Sequence, residues 1–198
     1  MRGLLLLLLH GPPGVGKTHL LKLILRLVRA WQGSAPIVHT SAAELVQELT
    51  AAIRREQPAA IRHKYAQAEL VAVDDLHVLA GKPATQSEIA ALLKAALDSG
   101  ARLACTAGCP PAEIPELSAA LRALPTARLV ELRRPNDEEM RQILAAMAPA
   151  EGLKLSAKTI AAIAPRCGGD VRRAVGALAQ FRFEQSRDPQ AGLDLDGP

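Results

Sequence analysis

Aromatic side chains are scarce in this chain, at 2% of 198 residues, whereas 49% of the residues are hydrophobic. Proteins that bind single-stranded nucleic acid without sequence preference stack successive bases on aromatic rings, so the scarcity argues against that mode of binding. It also requires a core built from leucine, alanine, valine and isoleucine. The length suits one ordinary domain, or one domain with a small appendage.

Clustered charge and paired metal ligands are lacking too. The formal net charge is +4 without a long basic run, so charge neither requires nor excludes a nucleic-acid partner. No second cysteine or histidine pair completes a zinc site with Cys105 and Cys109; we expect these thiols and that of Cys167 to be buried or idle in a reducing cytosol. The histidines that we interpret as ordinary polar or strand-end residues are His10, His39, His63 and His77.

Long hydrophobic segments are absent as well. Leu4–Leu9 superficially resembles a secretion signal, but the run is too short and no small-residue cleavage site follows it. We predict a buried parallel strand there, because both faces of such a strand are apolar. The leucines of Lys17–Arg29 are predicted to be helix core, since charged residues interrupt them. No uncharged stretch approaches transmembrane length, so we expect a cytoplasmic protein without a membrane span.

Short apolar runs alternate with longer helical patterns along most of the chain. The predicted strands are Leu4–Leu9, Ile37–Thr40, Leu70–Asp74, Arg102–Thr106 and Arg128–Leu132. The predicted helices between them are Lys17–Trp31, Ala42–Arg55, Thr85–Ser99 and Leu117–Leu124. Repeated alternation of this kind predicts an α/β fold with a five-stranded parallel sheet between helices.

Strand patterns stop after Pro135, and three helical segments follow. They are Asn136–Met147, Ser156–Ala164 and Asp170–Phe183, with Ser156 and Asp170 as predicted N-caps. We therefore predict three parts. Residues 1–134 form an αβα domain, residues 135–184 form a small three-helix lid, and residues 185–198 form a flexible polar tail.

A glycine-rich motif lies between the first predicted strand and the first predicted helix. The phosphate-loop pattern G-x-x-x-x-G-K-[ST] is matched in full by Gly11-Pro12-Pro13-Gly14-Val15-Gly16-Lys17-Thr18. Glycines let the backbone curl so that successive N–H groups point at phosphate oxygens, and the following helix adds its positive N-terminal end. We predict that Lys17 reaches the β- and γ-phosphates of ATP and that the hydroxyl of Thr18 binds Mg²⁺.

Two carboxylates follow the apolar part of the third predicted strand. Asp74 ends that strand and Asp75 comes directly after it. A carboxylate at the C-terminal end of a parallel strand adjacent to the phosphate loop would sit beside the phosphates. We predict that Asp74 holds the magnesium ion through water and that Asp75 polarises the attacking water as a general base.

Several segments together resemble the AAA+ domain of the bacterial replication initiator DnaA. They are Gly16–Leu21, Val73–Lys82, Thr85–Glu88, Pro110–Pro115 and Val171–Leu178, and the likeness runs from about Leu5 to Phe183. The phosphate loop is generic to ATPases, whereas Asp74–Lys82 is much more specific. The resemblance implies a P-loop αβα domain followed by a three-helix lid. It further implies ATP or ADP bound between the two, often with a second subunit completing the site.

The resemblance also implies a role for an arginine of the lid. In that family an arginine shortly before the Gly-Ala-Leu of the last lid helix senses the γ-phosphate, and it matches Arg172 here. A lid guanidinium reaches phosphate only when the lid closes. The full set of predicted ATP-binding residues is Gly11, Pro13, Gly14, Val15, Gly16, Lys17, Thr18, His19 and Arg172.

The chain departs from the family pattern at several functional positions. Two family arginines, one of which acts in trans as a finger, fall at Ala120 and Leu124. The polar sensor after the fourth strand falls at Gly108, with Thr106 as the nearest hydroxyl, and a basic DNA-contacting position falls at Ala84. An arginine finger contributes on the order of 3 to 5 powers of ten in rate where it acts. We therefore expect slow hydrolysis of ATP to ADP and phosphate, or a nucleotide-switch role.

The function implied is that of a DnaA-like ATP-binding protein in replication initiation or its regulation. Only Glu184–Pro198 remain from the end of the lid onward, so we expect no DNA-binding helix-turn-helix domain, as in the DnaA-related regulator Hda. The expected partners are related AAA+ subunits, either this chain itself or a DnaA-type initiator, with only a weak contact with DNA. A sliding clamp is a further candidate, because Gln190–Leu195 loosely resembles a clamp-binding peptide. The alternatives are a non-catalytic nucleotide-bound adaptor and a helicase-loader or transposition-type ATPase.

Overall fold

A five-stranded parallel sheet organises the larger part of the protein. The structure, a computed structural model, describes residues 6–122 and 127–187. The strands are β1 Leu6–His10, β2 Ile37–Ser41, β3 Leu70–Asp74, β4 Arg102–Ala107 and β5 Ala127–Glu131. Their order across the sheet is β2-β3-β4-β1-β5, and every neighbouring pair runs parallel. The predicted α/β fold with a five-stranded parallel sheet is confirmed.

Eight α-helices connect and follow the strands in the described part of the chain. They are α1 Lys17–Gln32, α2 Ala42–Arg54, α3 Pro58–Ala66, α4 Pro83–Asp98, α5 Pro115–Arg122, α6 Asp137–Met147, α7 Ala157–Cys167 and α8 Val171–Arg187. Helix α3 was not predicted from the sequence. Its apolar pattern is weak, because only Ile61 and Tyr65 among its nine residues are buried.

Both faces of the sheet are covered by apolar side chains, as successive residues of β3 show. On β3, Val71 and Val73 join a large apolar cluster, whereas Leu70 and Ala72 join a smaller one on the opposite face. Side chains of successive strand residues point to opposite faces, so this alternation places helices on both sides of the sheet. The smaller cluster is completed by Leu21 of α1 and its neighbours on that helix.

The prediction that the leucines of Lys17–Arg29 are helix core is only half correct. Leu21 and Leu25 are buried on the sheet. A second apolar stripe on the same helix is exposed: Leu20, Leu23, Leu27 and Trp31. Helix α1 is therefore apolar over more of its circumference than its packing on the sheet requires. No helix in the described ranges is long and apolar enough to cross a membrane.

Contacts group the described residues into two compact units. The first comprises residues up to Gly11 together with Lys17–Leu132, and the second comprises Pro12–Gly16 with the residues from Arg133 onward. Within the second unit, α6, α7 and α8 enclose their own apolar core around Met140, Leu144 and Leu178. The tip of the glycine motif thus makes most of its contacts with this helical unit.

Side-chain caps begin each helix of the second unit. Asn136 and Glu139 form a reciprocal capping box at α6, and the hydroxyl of Ser156 accepts the Thr159 N–H at α7. The Asp170 carboxylate accepts the Arg172 N–H at 2.8 Å at the start of α8. The two N-caps predicted at Ser156 and Asp170 are confirmed.

All three cysteines are free and buried, as expected, and burial raises the pKa of the Cys105 thiol to about 12.

Candidate functional site

The segment Gly11–Thr18, called here the glycine loop, joins the end of β1 to the start of α1. Gly11, Gly14 and Gly16 have φ values of 143°, 85° and 97°. An L-residue is strained in this region of φ, whereas glycine adopts it readily. A Cβ on Gly11 would also lie 2.1 Å from the Leu132 carbonyl oxygen. The backbone of the loop therefore requires glycine at these three positions.

Lys17 is the first residue of α1 and lies at the base of the glycine loop. Its side chain is 7% exposed, and its Nζ donates to the Gly11 carbonyl oxygen at 2.8 Å. Thr18 is half-buried and follows in the first turn of the helix, while His19 is exposed. The first N–H groups of a helix have no intrahelical partner, and they favour a negative charge nearby. A buried ammonium and a helix N-terminus thus converge at one end of the loop.

The tip of the glycine loop contacts the start of α8 within the second unit. The Gly14 carbonyl accepts the Val171 N–H at 2.7 Å. A Cβ on Gly14 would lie 2.4 Å from the carboxylate of Asp170, so this carboxylate lies directly against the loop. Pro13 is exposed and Val15 is buried. The loop tip and the N-terminus of α8 are consequently held together by a main-chain hydrogen bond.

Arg172 lies two residues after Asp170 and is paired with it. Its side chain is 71% exposed, and its Nη2 lies 3.4 Å from the Asp170 Oδ2. Burial acts to raise the pKa of the Asp170 carboxyl, but hydrogen bonds from Arg172 outweigh burial and the net pKa is lowered. The structure places Arg172 beside Asp170, in the same unit as the loop tip. Its contact with a γ-phosphate stays a prediction.

The two carboxylates after β3 lie at the same edge of the sheet as the glycine loop, because all the strands are parallel. The sequence-based placement of β3 directly beside β1 is wrong, however, since β4 lies between them. In the sheet, Val73 pairs with Cys105 and Cys105 pairs with Leu8. Two strand spacings correspond to roughly 10 Å. Asp74 therefore emerges two strands away from the loop.

Thr106, on that intervening strand, connects both carboxylate residues. Its buried hydroxyl donates to Asp74 Oδ1 and accepts the Asp75 N–H at 2.9 Å. Asp75 itself has a φ of 62°, which is unusual for a residue other than glycine. The hydroxyl thus fixes the carboxylate of one residue and the backbone of the next. From the sequence, Thr106 was recognisable only as the hydroxyl nearest to the family's sensor position.

His77 completes this group and was interpreted in the sequence as an ordinary polar residue. Its Nδ1 lies 3.7 Å from Asp75 Oδ1. The imidazole also packs over Gly108, where an added Cβ would lie 3.1 Å from Cγ and Nδ1. The contact joins residues far apart in the sequence, and no local pattern signals it.

Comparison with protein families decides the relationship of the chain. The family model for the bacterial DnaA ATPase domain matches residues 5–130. The chain belongs to the bacterial DnaA ATPase-domain family. The match covers the sheet-forming part except for the last residue of β5, and it includes the glycine loop and the two carboxylates that follow the apolar part of β3.

Solved structures similar to this DnaA-family chain share its fold. Domain III of the Thermotoga maritima replication initiation protein DnaA superposes with a TM-score of 0.83 at 21% identity, covering 93% of this chain and 78% of that one. Replication initiator DnaA bound to AMPPCP and single-stranded DNA gives 0.77 at 19%, covering 96% and 60%. The DnaC helicase loader gives 0.53 at 15%, covering 64% and 77%. Identities this low establish the fold alone.

The positions at which this chain departs from the DnaA pattern are not all described by the structure. Leu124 lies outside the described residues, and Ala120 lies on α5, whose range ends at Arg122. Ala84 is exposed near the start of α4. Gly108, at the family's sensor position, is covered by the His77 ring, so this space holds a polar group from another residue.

Magnesium, which the family implies, is tested by the donor set that this chain offers. The described residues contain no cluster of three or more carboxylate, histidine or cysteine side chains that could hold a metal alone. Mg²⁺ usually takes one or two carboxylates together with substrate phosphates and water. The oxygens of Asp74 and Thr18 fit that requirement, and a phosphate would have to supply further ligands.

Proposed function

We propose that this DnaA-family chain binds ATP or ADP with Mg²⁺ at the glycine loop, as a switch for assembly in replication initiation or its control. The observation that carries the proposal is the buried Lys17 ammonium, 2.8 Å from the Gly11 carbonyl at the start of α1. An ammonium at a glycine-rich loop and a helix N-terminus favours an anion there. A nucleotide phosphate is such an anion. The AMPPCP bound to a DnaA of the same fold supports this proposal.

Each of the remaining site residues has a defined part in the proposed chemistry. The backbone of Gly14, Val15 and Gly16 would donate N–H groups to phosphate oxygens. Thr18 and Asp74 would hold the magnesium ion, which screens the charge of the phosphates. Asp75 would accept the proton of the attacking water as general base. Pro13, within the loop, and His19, directly after it, would contact the nucleotide.

Arg172 is proposed to respond to the γ-phosphate. It is paired with Asp170, which lies against Gly14 of the loop. A triphosphate at the loop would compete with that carboxylate for the guanidinium, because a phosphate accepts a bidentate pair at least as well. ATP, but not ADP, would then release Arg172 from Asp170. We accordingly propose that residues 135–184 act as a lid on an αβα domain of residues 1–134.

Related AAA+ subunits are the proposed partners, either this chain itself or a DnaA-type initiator. We propose slow hydrolysis, because the family's finger positions fall at Ala120 and Leu124. A DNA contact is proposed from the relative that is bound to single-stranded DNA. The proposed location is the cytoplasm. The clamp-binding proposal for Gln190–Leu195 concerns a segment outside the described residues.

A second candidate is a non-catalytic adaptor in which nucleotide only stabilises the fold, and the same finger positions favour it. A helicase loader is a third, favoured by the shared fold with DnaC. Comparing ATP with ADP separates the switch from the adaptor. Only a switch changes its oligomer size or its partner binding with the identity of the nucleotide.

The decisive experiment is the variant Lys17→Ala. We expect its affinity for a fluorescent ATP analogue to fall by at least about tenfold, since a charge-assisted hydrogen bond contributes roughly 1.5–3 kcal/mol. Lys22→Ala on the exposed side of the same helix is the matched control and should bind normally. Equal affinities of the two variants would exclude the glycine loop as the nucleotide site.

A further inference from the structure

The carboxylate of Asp75 has one basic neighbour among the described residues. Thr106 holds the backbone of Asp75, but the side chain is about half exposed, with 49% of its surface accessible. The basic group within 4 Å of its oxygens is the imidazole of His77, at 3.7 Å from Nδ1 to Oδ1. A general base acts only when its lone pair points at the proton to be removed. Of the basic groups in the described residues, His77 is thus the one placed to orient the Asp75 carboxylate.

The Nδ1 atom of His77 is itself in need of a partner. The atom is buried and has no hydrogen-bond partner in the described part of the chain, although the side chain as a whole is 40% exposed. Buried polar atoms are almost always hydrogen-bonded, and the exceptions call for an explanation. A distance of 3.7 Å is too long for a direct hydrogen bond, but a small rotation of either side chain closes it.

Gly108 shows that the position of the ring is built into the fold. A Cβ at this residue would lie 3.1 Å from Cγ and Nδ1 of His77 and 3.2 Å from Cδ2. The φ of Gly108 is not in the left-handed region, so its backbone conformation does not require glycine. The space that a side chain would occupy is filled by the imidazole. Glycine at 108 and histidine at 77 are thus complementary.

We propose that His77 is a positioning residue for Asp75. Its Nδ1–H donates a hydrogen bond to the Asp75 carboxylate and holds it where it takes a proton from water. The water oxygen then bonds to the γ-phosphorus as the β–γ bridging oxygen departs with ADP. The inference rests on the proposed function, because it assigns a role in ATP hydrolysis at that site.

The first test separates nucleotide binding from chemistry. ATP affinity and the single-turnover rate of bound ATP are measured for wild type, His77→Leu and His77→Gln. We expect His77→Leu to bind ATP normally but to hydrolyse it about tenfold more slowly, the loss typical of one hydrogen bond to a charged group. His77→Gln, whose amide can still donate, should restore most of the rate. Thermal unfolding of each variant checks that all are folded.

The second test uses Gly108→Ala in a double-mutant cycle. Its Cβ should displace the imidazole and slow hydrolysis in the wild-type background, yet have little further effect in His77→Leu. Additive losses from the two substitutions would contradict the proposed contact.

A third measurement determines directly which imidazole nitrogen of His77 carries the proton. Long-range ¹⁵N–¹H NMR of the protein, assigned by loss of the signal in His77→Gln, should show the proton on Nδ1. Protonation of Nε2 alone would overturn the proposal. An unchanged hydrolysis rate in His77→Leu would also overturn the proposal, as would a wild-type protein that binds ATP but does not hydrolyse it. Neither of these two results would argue against the nucleotide site itself. Failure of wild type to bind ATP would overturn the proposed function together with this inference.

Discussion

At the scale of single residues, Gly14 is constrained by backbone conformation and by a neighbour at once. Its φ of 85° lies in the left-handed region, and an added Cβ would lie 2.4 Å from the Asp170 carboxylate. Gly176, within α8, is the opposite case, because nothing lies within 4 Å of its Cβ direction. The same substitution should therefore have opposite effects at the two positions.

We predict that Gly14→Ala lowers the melting temperature and weakens ATP binding, because the loop tip must move off Asp170. Gly176→Ala is the control and should stabilise the protein by up to about 1 kcal/mol, since alanine is the better helix former. Thermal unfolding and nucleotide titration of both variants provide the measurement. A Gly14→Ala protein as stable as wild type would show that the loop tip does not require this conformation.

Asp170 acts both as an N-cap and as a negative charge beside the glycine loop, and the substitution Asp170→Asn separates these two effects. Its carboxylate caps α8 and also lies against the loop that we propose to bind phosphates. Asn is as good an N-cap as Asp but carries no charge. We predict that Asp170→Asn binds ATP roughly threefold to tenfold more tightly, because a nearby like charge is removed. Asp137→Asn, exposed in the first turn of α6, is the matched control. Weaker binding by Asp170→Asn would mean that the carboxylate supports the nucleotide, for instance by orienting Arg172.

At the scale of elements, the α6 capping box gives a pH-dependent contribution to stability. Hydrogen bonds from Arg133, and then from the Asn136 backbone, lower the pKa of the Glu139 carboxyl below its reference value of 4.5. A carboxyl group with a lowered pKa stabilises the fold above its unfolded pKa, and this contribution is lost as the pH falls through the folded value.

We accordingly predict that Glu139→Gln is less stable than wild type at neutral pH. The difference should shrink as the pH falls well below 4.5, because the wild-type carboxyl is then protonated as well. The effect should be modest, since the pair with Arg133 is exposed to solvent. Urea unfolding of both proteins across this pH range is the measurement. A stability difference that does not change with pH would assign the effect to the shape of the side chain.

The elements themselves were largely predictable, whereas their neighbours in space were not. Alternating apolar strands and helical periods located all five strands to within one or two residues. The signal was clearest for β3 and β4, because burial on both faces leaves a continuous apolar run. The order of strands is set by the crossovers, which leave no local pattern, so the placement of β3 beside β1 was wrong. Helix α3 escaped prediction because few of its side chains are buried.

The features of the candidate site also divide into those that a local sequence pattern predicts and those that depend on the tertiary fold. The glycine loop was predictable because its main chain needs glycine at fixed spacing, and Asp74 was predictable because it ends an apolar strand. The contact between His77 and Gly108 arises only when β3 and β4 pair, and nothing near either residue in the sequence indicates it. The pairing of Arg172 with Asp170 is local, yet the place of Asp170 against Gly14 again needs the tertiary fold.

At the scale of the whole molecule, the fold leaves several functions open. Structures as different as an initiator and a helicase loader share it, so the fold alone does not decide the function. The residues of the glycine loop are assigned to both compact units, with Gly11 and Lys17 in one and Pro12–Gly16 in the other. Under the proposed function, a change of nucleotide at this loop is expected to change the assembly of the protein.

The last prediction follows from that coupling. With ATP, the purified chain should form a larger species, alone or with a full-length DnaA-type initiator, than it forms with ADP. A ligand shifts an assembly equilibrium only through a difference in its interactions with the two states, and we propose that this difference is competition between the γ-phosphate and Asp170 for Arg172. Light scattering coupled to size-exclusion chromatography measures the size in each nucleotide. Lys17→Ala is the control and should give the same size in both. If wild type also gives one size in ATP and ADP while binding both, the nucleotide stabilises an adaptor and the switch is excluded.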